Sequence, residues 1–388
     1  MPAHFRQHID LIHLTTLLFL GIVLGACEKP PKEIKREQGA YNFNLKQGFK
    51  ELDSEADNTP ENNLTTYEGV ELGRHLFYDE RLSKNNSISC ASCHKQENAF
   101  SDPRQFSEGF DGSLGKRNSM SLVNLKWHKR FFWDGRAPSL EEQVLMPIQD
   151  PVEMGMELDE LVSKLKQIKL YKELFEEAFG SSDITSERIS MALAQFVRSI
   201  VSDKAIYDDV YRINPRLDRQ LKQYLSEQEF WGYRLFNNHP NVNAEANQVG
   251  QPSRGAFCVD CHNGDLLTNN LFANNGLDSM VVDQGYGEVS GKNKHNGLFK
   301  TPTLRNIALT APYMHDGRFA TLEEVIDHYD QHVLDHPNLT TEFNHIGNTR
   351  AGKLDLTPAE KDALLAYLKT FTDYDLINDP KFSNPFEE

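Results

Sequence analysis

Apolar residues recur at helical spacing along most of the chain. Between Asp159 and Phe179, Leu161, Leu165, Ile168, Leu174 and Phe175 fall roughly on one face. Between Ser186 and Val201, Ile189, Leu193, Phe196 and Ile200 do the same. Thr321-Leu322-Glu323-Glu324 and Thr357-Pro358-Ala359-Glu360 are capping boxes that open two more helices, the second with Pro at its first helical position. The last helix is predicted over Ala359 to Phe371, with Leu364, Leu365, Tyr367, Leu368 and Phe371 as its apolar set. No run alternates convincingly as a strand, so the chain is predicted to be mostly α with long irregular loops. One such loop, Asn237 to Gly255, is rich in Asn, Gly and Pro.

The N-terminal pattern is different. Arg6 precedes an apolar run from about Leu11 to Val23 that ends in Leu24-Gly25-Ala26-Cys27. That run is short for a membrane span and reads as an export signal over residues 1–26. Leu-Gly-Ala-Cys resembles a bacterial lipobox, which would make Cys27 a lipidated first residue and the mature chain a membrane-anchored periplasmic lipoprotein. A plain secretory signal and a retained helix are the competing readings. Residues 27–60 are charged and poor in apolar periodicity, and read as a flexible tether.

Chemistry enters with Cys90-Ala91-Ser92-Cys93-His94 and Cys258-Val259-Asp260-Cys261-His262. Each motif sets two thiols one turn apart, able to add across the vinyl groups of one haem, with an imidazole beside them for the iron. Two CxxC pairs could also build one tetrahedral zinc site. Zinc gives no reason for His after both pairs, whereas haem c requires it. Of five Cys, four then hold two covalently bound haem c groups and Cys27 holds lipid, leaving none for a disulfide. The formal charge of −16 argues against nucleic acid and would steer a basic electron donor toward the protein.

The segments Arg117-Asn118-Ser119, Phe132-Trp133-Asp134-Gly135-Arg136-Ala137, Gln143 and Glu153 come first in chain order. Thr301-Pro302-Thr303-Leu304-Arg305-Asn306 and Thr310-Ala311-Pro312-Tyr313-Met314-His315-Asp316-Gly317 follow. In order and spacing, from about residue 64 to 371, these resemble the bacterial dihaem cytochrome c peroxidase superfamily, and most of all its MauG-like branch. The resemblance implies two cytochrome c-like haem domains packed with a haem–haem interface. We expect a peroxidatic domain over residues 61–205, an electron-transfer domain over 206–375 and a tail over 376–388.

Carried over residue by residue, the resemblance makes His94 the proximal ligand of the peroxidatic haem and His262 that of the electron-transfer haem. Glu153 becomes the distal carboxylate, Gln143 its hydrogen-bonding companion, and Trp133 the indole between the haems. Asn118, with the backbone carbonyls of Thr310 and Pro312, matches a calcium site between the domains. Arg305 is a candidate for a haem propionate, with a surface salt bridge as the equal alternative. Taken alone, Glu153 would be read as a solvated charge and Trp133 as core.

Two positions depart from the pattern. Typical members carry a His seven residues before the Arg of the Arg-Asn pair, capping the peroxidatic iron until its partner is reduced. Here that residue is Phe110, which cannot ligate iron, so an open peroxide site is expected. His128, in Lys126-Trp127-His128-Lys129-Arg130, is the nearest substitute, but that stretch reads as surface. The usual Met fourteen residues after the His of the Pro-Tyr-Xaa-His motif is Tyr329. Leu322, Val325, Ile326, Tyr329 and Val333 share one helical face, pointing the phenol inward. His332 or His328 is the fallback ligand, and Met314 stands behind them.

The leading reading is a peroxidase that reduces hydrogen peroxide with electrons relayed through the C-terminal haem from a small cytochrome c or cupredoxin. The alternative is a MauG-like oxidase that uses high-valent dihaem iron to modify a protein substrate. Such maturases carry a surface Trp two residues before the second haem motif, where this chain has Ala256. A pure electron carrier is the third reading. Family members occur as monomers and as homodimers, and both are open here.

Overall fold

The computed structural model describes residues 37–211, 218–238, 255–341, 343 and 353–387. Cys27, the export signal and most of the Asn237–Gly255 loop lie outside the described residues. Helices dominate: α1 Gln47–Ala56, α2 Tyr67–Tyr78, α3 Leu158–Leu165, α4 Lys169–Phe179, α5 Ser186–Ser199, α6 Glu227–Asn237, α7 Leu322–Asp327 and α8 Pro358–Lys369. Strand pairing among the described residues is confined to β1 Phe272–Ala273 against β2 Phe299–Lys300, besides isolated bridges. The apolar face expected over 159–179 is split between α3 and α4, because the chain turns at Lys166–Ile168. Both capping boxes form: Thr321 accepts from Glu324 N–H and Thr357 from Glu360 N–H, each at 3.3 Å.

The buried apolar residues gather in two main clusters built on similar helix pairs. In the first, α2 crosses α5 where Gly73 meets the Ala192 carbonyl; a Cβ on Gly73 would lie 2.1 Å from that oxygen. In the second, α6 crosses α8 where Gly232 meets the Ala363 carbonyl, and a Cβ there would lie 2.0 Å away. Glycine at both crossings lets the helix backbones touch.

The connecting loops repeat as well. Phe132-Trp133-Asp134-Gly135-Arg136 and Met314-His315-Asp316-Gly317-Arg318 each begin on a left-handed residue, φ 67° at Phe132 and 75° at Met314. Each folds its Arg back onto its Asp, at 3.1 Å for Arg136–Asp134 and 2.6 Å for Arg318–Asp316.

Two expectations are corrected. Residues 37–60 do not run as a tether throughout, because α1 docks. Phe49 is 1% exposed and its ring lies 5.0 Å from that of Trp127. The Lys126 ammonium is enclosed between Asp53 and Asp57 of the same segment. Lys126-Trp127-His128 is therefore core rather than surface, all three being buried. The 376–388 tail packs on the body: Leu376 and Phe382 sit in the first cluster, and Tyr78 Oη donates to the Phe382 carbonyl at 2.6 Å.

Candidate active site

The two Cys-His motifs fold alike. The N–H groups of Cys93 and His94 donate to the Cys90 carbonyl at 3.2 and 3.0 Å, and those of Cys261 and His262 to the Cys258 carbonyl at 3.3 and 2.9 Å. Both thiols of each pair are thereby held on one tight turn. His94 Nδ1 donates to the Phe100 carbonyl at 2.9 Å and His262 Nδ1 to the Leu267 carbonyl at 3.3 Å. A proton fixed on Nδ1 leaves the Nε2 lone pair for a metal. All four thiols are unbridged. Burial pushes the Cys90 and Cys258 thiols up to about 12. The two pairs do not converge, and no group of three metal-binding side chains occurs among the described residues. The zinc reading therefore falls, whereas a group attached through thioethers and ligated by one His fits.

Cys258, Cys261 and His262 open onto a large apolar cavity walled by residues such as Leu277, Ile326 and Leu364. Met314 and Tyr329 also reach this cavity. Asn275 Nδ2 joins them, donating to Tyr329 Oη at 3.2 Å and to Met314 Sδ at 3.4 Å. Burial pushes the Tyr329 phenol up to about 12, opposed by the Asn275 hydrogen bond and reinforced by the nearby Cys261 and Cys258 thiols. Tyr329 lies not in α7 itself but in a π-helical turn, His328–His332, that follows it; such turns re-aim side chains. The fallback imidazoles are engaged elsewhere. His328 Nε2 donates to the Asn275 carbonyl at 3.0 Å, and His332 is exposed with Nδ1 on the Asp327 carbonyl.

Trp133 stands where the two halves of the chain meet. Its Nε1 donates to the Asn118 carbonyl at 2.8 Å, and its own carbonyl accepts from Lys300 N–H at 2.8 Å. Asn118 N–H donates to the His315 carbonyl at 2.8 Å. Arg117 clamps both sides, 2.5 Å from Asp134 and 2.8 Å from Asp283. Asn118, Thr310 and Pro312 share the wall of the cavity that holds Trp133. The Asn118 amide nitrogen is spent on the carbonyls of Arg104 and Gln105, at 3.1 and 3.3 Å.

Around the first motif, Glu153 sits on a turn after the short helix Met146–Gln149. Burial raises its pKa, with the Asp150 charge adding to this and Arg136 opposing it. The negative charge of Glu153 acts weakly on both Cys90 and Cys93, raising each thiol further after burial has done most of it. Phe110 N–H donates to the Glu153 carbonyl at 2.8 Å. The Phe110 ring lies against Gly155, where a Cβ would come within 2.4 Å of it. Gln143 ends the short helix Leu140–Gln143, half-buried, and no hydrogen bond joins it to Glu153.

Arg305 also borders the large cavity, but its guanidinium is committed. Asp208 takes Nη2 and Nη1 at 2.5 and 3.1 Å, and the Asp265 carbonyl takes Nε at 2.5 Å. This pair is buried, so the surface salt bridge is corrected to an internal one. Sequence reasoning missed Asp208 and Lys300. It also missed the repeat of Trp133-Asp134-Gly135-Arg136 in His315-Asp316-Gly317-Arg318, which comparison of the two halves would have revealed.

A family model described as di-haem cytochrome c peroxidase matches residues 67–215. The methylamine utilization protein MauG of Methylophilus methylotrophus is 32% identical over 333 residues, covering 85% of this chain and 90% of that protein. Cytochrome c551 peroxidase of Nitrosomonas europaea is 32% identical over 343 residues, with 85% and 89% covered. The crystal structure of a MauG-like protein associated with microbial copper homeostasis superposes with a TM-score of 0.74 at 34% identity, covering 89% of this chain and 100% of that one.

Proposed function

We propose, from the premise that the chain belongs to the di-haem cytochrome c peroxidase and MauG family, that this oxidoreductase reduces hydrogen peroxide to water at its N-terminal haem. Electrons arrive one at a time through the C-terminal haem from a small cytochrome c or cupredoxin. Two haem c groups are the family's cofactors. Cys90, Cys93 and His94 would hold the first, and Cys258, Cys261, His262 and Tyr329 the second. When bound, these groups supply the electrons that cleave the O–O bond.

The chain's own residues supply the proton chemistry. Glu153 would take a proton from one peroxide oxygen and return it to the other, so that water leaves rather than hydroxide. A carboxyl raised by burial suits that exchange better than an ordinary one, because its proton affinity is closer to that of its partners. Gln143 orients the peroxide. Trp133, bonded through Asn118 and Lys300 to both halves, carries electrons between the sites. A calcium ion on Asn118, Thr310 and Pro312 would stiffen that junction. The compartment is the periplasm, with Cys27 as lipid anchor.

The observation that carries this reading is the Phe110 loop on the Glu153 turn. The residue in the capping position brings a phenyl ring, packed on Gly155, rather than an imidazole. Stopped-flow mixing of resting protein with peroxide, followed by turnover with a reduced cytochrome, tests it. Rapid reaction without prior reduction is expected, and a protein inert until reduced would overturn it. Tyr329 favours a second reading, a MauG-like oxidase acting on a protein, because a phenolate stabilises oxidised iron. Ala256, buried at 7% exposure, offers no surface indole for such a transfer.

A further inference from the structure

Lys300 ends β2, in register with Phe272 of β1, and lines the large cavity together with Trp133 and His262. Its side chain is 2% exposed; its Nζ shares a hydrogen bond with His128 Nδ1 at 2.6 Å and donates to the Arg130 carbonyl at 2.8 Å. The Phe131 ring completes its surroundings at 5.8 Å. No carboxylate is paired with it among the described residues. His128 is equally buried, and its Nε2 has no hydrogen-bond partner.

The neighbouring arginines are each engaged elsewhere. The Arg130 guanidinium turns away to the Gly135 carbonyl at 3.0 Å. Arg117, packed over Phe299, is held by Asp134 and Asp283. Arg305 is held by Asp208. A lysine enclosed without a counter-ion is costly to charge, and the cost falls whenever negative charge enters the space beside it.

We propose that Lys300, backed by His128, takes up one proton when an electron enters the His262 cavity and releases it when that electron leaves. The balance is simple. A donor gives one electron to the group held at Cys258, Cys261 and His262. One solvent proton adds to the Lys300 nitrogen, converting amine to ammonium, and no net charge is added to the cavity. His128, with an orphaned nitrogen on its far side, is the station through which that proton passes. Burial holds Lys300 down at about 7, so its protonation is poised to respond near neutral pH. The inference rests on the reading that this cavity holds the electron-transfer haem.

Spectropotentiometric titration of the holoprotein from about pH 6 to about pH 8 tests the coupling. The C-terminal haem midpoint should be nearly flat near pH 6, where Lys300 is already charged, and should fall above about pH 7 with a slope approaching 59 mV per pH unit, the value for one proton per electron. Lys300→Met should flatten the slope, and Lys300→Arg should flatten it while raising the potential, since a guanidinium stays charged. Should either variant fold poorly, proton uptake by the wild type on reduction, followed with an indicator dye in weak buffer, gives the same answer. A wild-type midpoint independent of pH, as a lysine permanently paired to a propionate would give, overturns the proposal. So does a slope that survives in Lys300→Met. Haem content and peroxide turnover of the same samples report separately on the peroxidase reading.

Discussion

The backbone N–H of Phe110 donates to the Glu153 carbonyl across 2.8 Å, which ties the loop that carries Phe110 to the turn that carries Glu153. Gly109 contributes to the fit, since a Cβ there would lie 1.7 Å from the Val152 carbonyl. Asn85 Nδ2 holds the Phe110 carbonyl from the other side at 2.7 Å. Phe110 is thus held from both sides.

Phe110→His restores an imidazole in the same backbone frame, and a smaller ring fits where phenyl did. The resting ferric protein should change from a high-spin to a low-spin signal at the first haem, read by electron paramagnetic resonance. Peroxide should then react slowly until the protein is reduced. A high-spin signal in the variant would show that the Phe110 side chain cannot reach the iron.

Glu153 must be ionised to accept a proton. Its pKa is raised by burial, so the peroxide rate should fall as pH drops through a value above the ordinary carboxylate range. Glu153→Gln removes the acceptor but keeps the shape. The rate constant should drop by about 10²–10⁴-fold and lose its acidic limb, with both haems still attached. Stopped-flow rates across pH check both parts; a mutant with an unchanged rate removes Glu153 from the reaction.

Tyr329 and Met314 are held by one amide, Asn275 Nδ2, on the wall of the His262 cavity. Tyr329→Met exchanges a hard oxygen for a thioether, which favours reduced iron. The C-terminal haem midpoint should rise, and the near-infrared band of His-Met ligation should appear. An identical spectrum would pass the ligand role to Met314 or to neither.

Much of this was legible in the sequence because it rests on local rules. The haem motifs are fixed by spacing, and the Thr321 and Thr357 helix starts by capping chemistry. What could not be read depends on segments distant in the chain. Phe49 and Leu45 look like stray apolar residues in a polar stretch until Trp127 and Leu266 complete their cluster. Lys126 and His128 read as surface because their partners are distant in sequence: Asp53 and Asp57 on α1 answer the Lys126 charge, and Lys300 on β2 hydrogen-bonds His128. The turn between α3 and α4 carries no Gly or Pro to announce it. Tyr329 was placed by α-helical phase, whereas the backbone there is a π turn.

The C-terminal segment gives the sharpest stability prediction. Phe382 is 1% exposed, its ring 6.1 Å from Phe100 and 6.4 Å from Phe196, both in the first cluster. Arg74 donates to the Pro380 and Ser383 carbonyls at 3.3 Å, and Tyr78 holds the Phe382 carbonyl. Phe100 also supplies the carbonyl that orients His94, so this packing backs the first Cys-His motif directly. Phe382→Ala should cost about 3–5 kcal/mol, the range for emptying a buried aromatic site. Phe386, 44% exposed, serves as control, and its replacement by Ala should cost under about 1 kcal/mol. Denaturant unfolding followed by Soret absorbance measures both. If the two substitutions shift the midpoint equally, the segment lies on the surface as an appendage, and the first core closes without it.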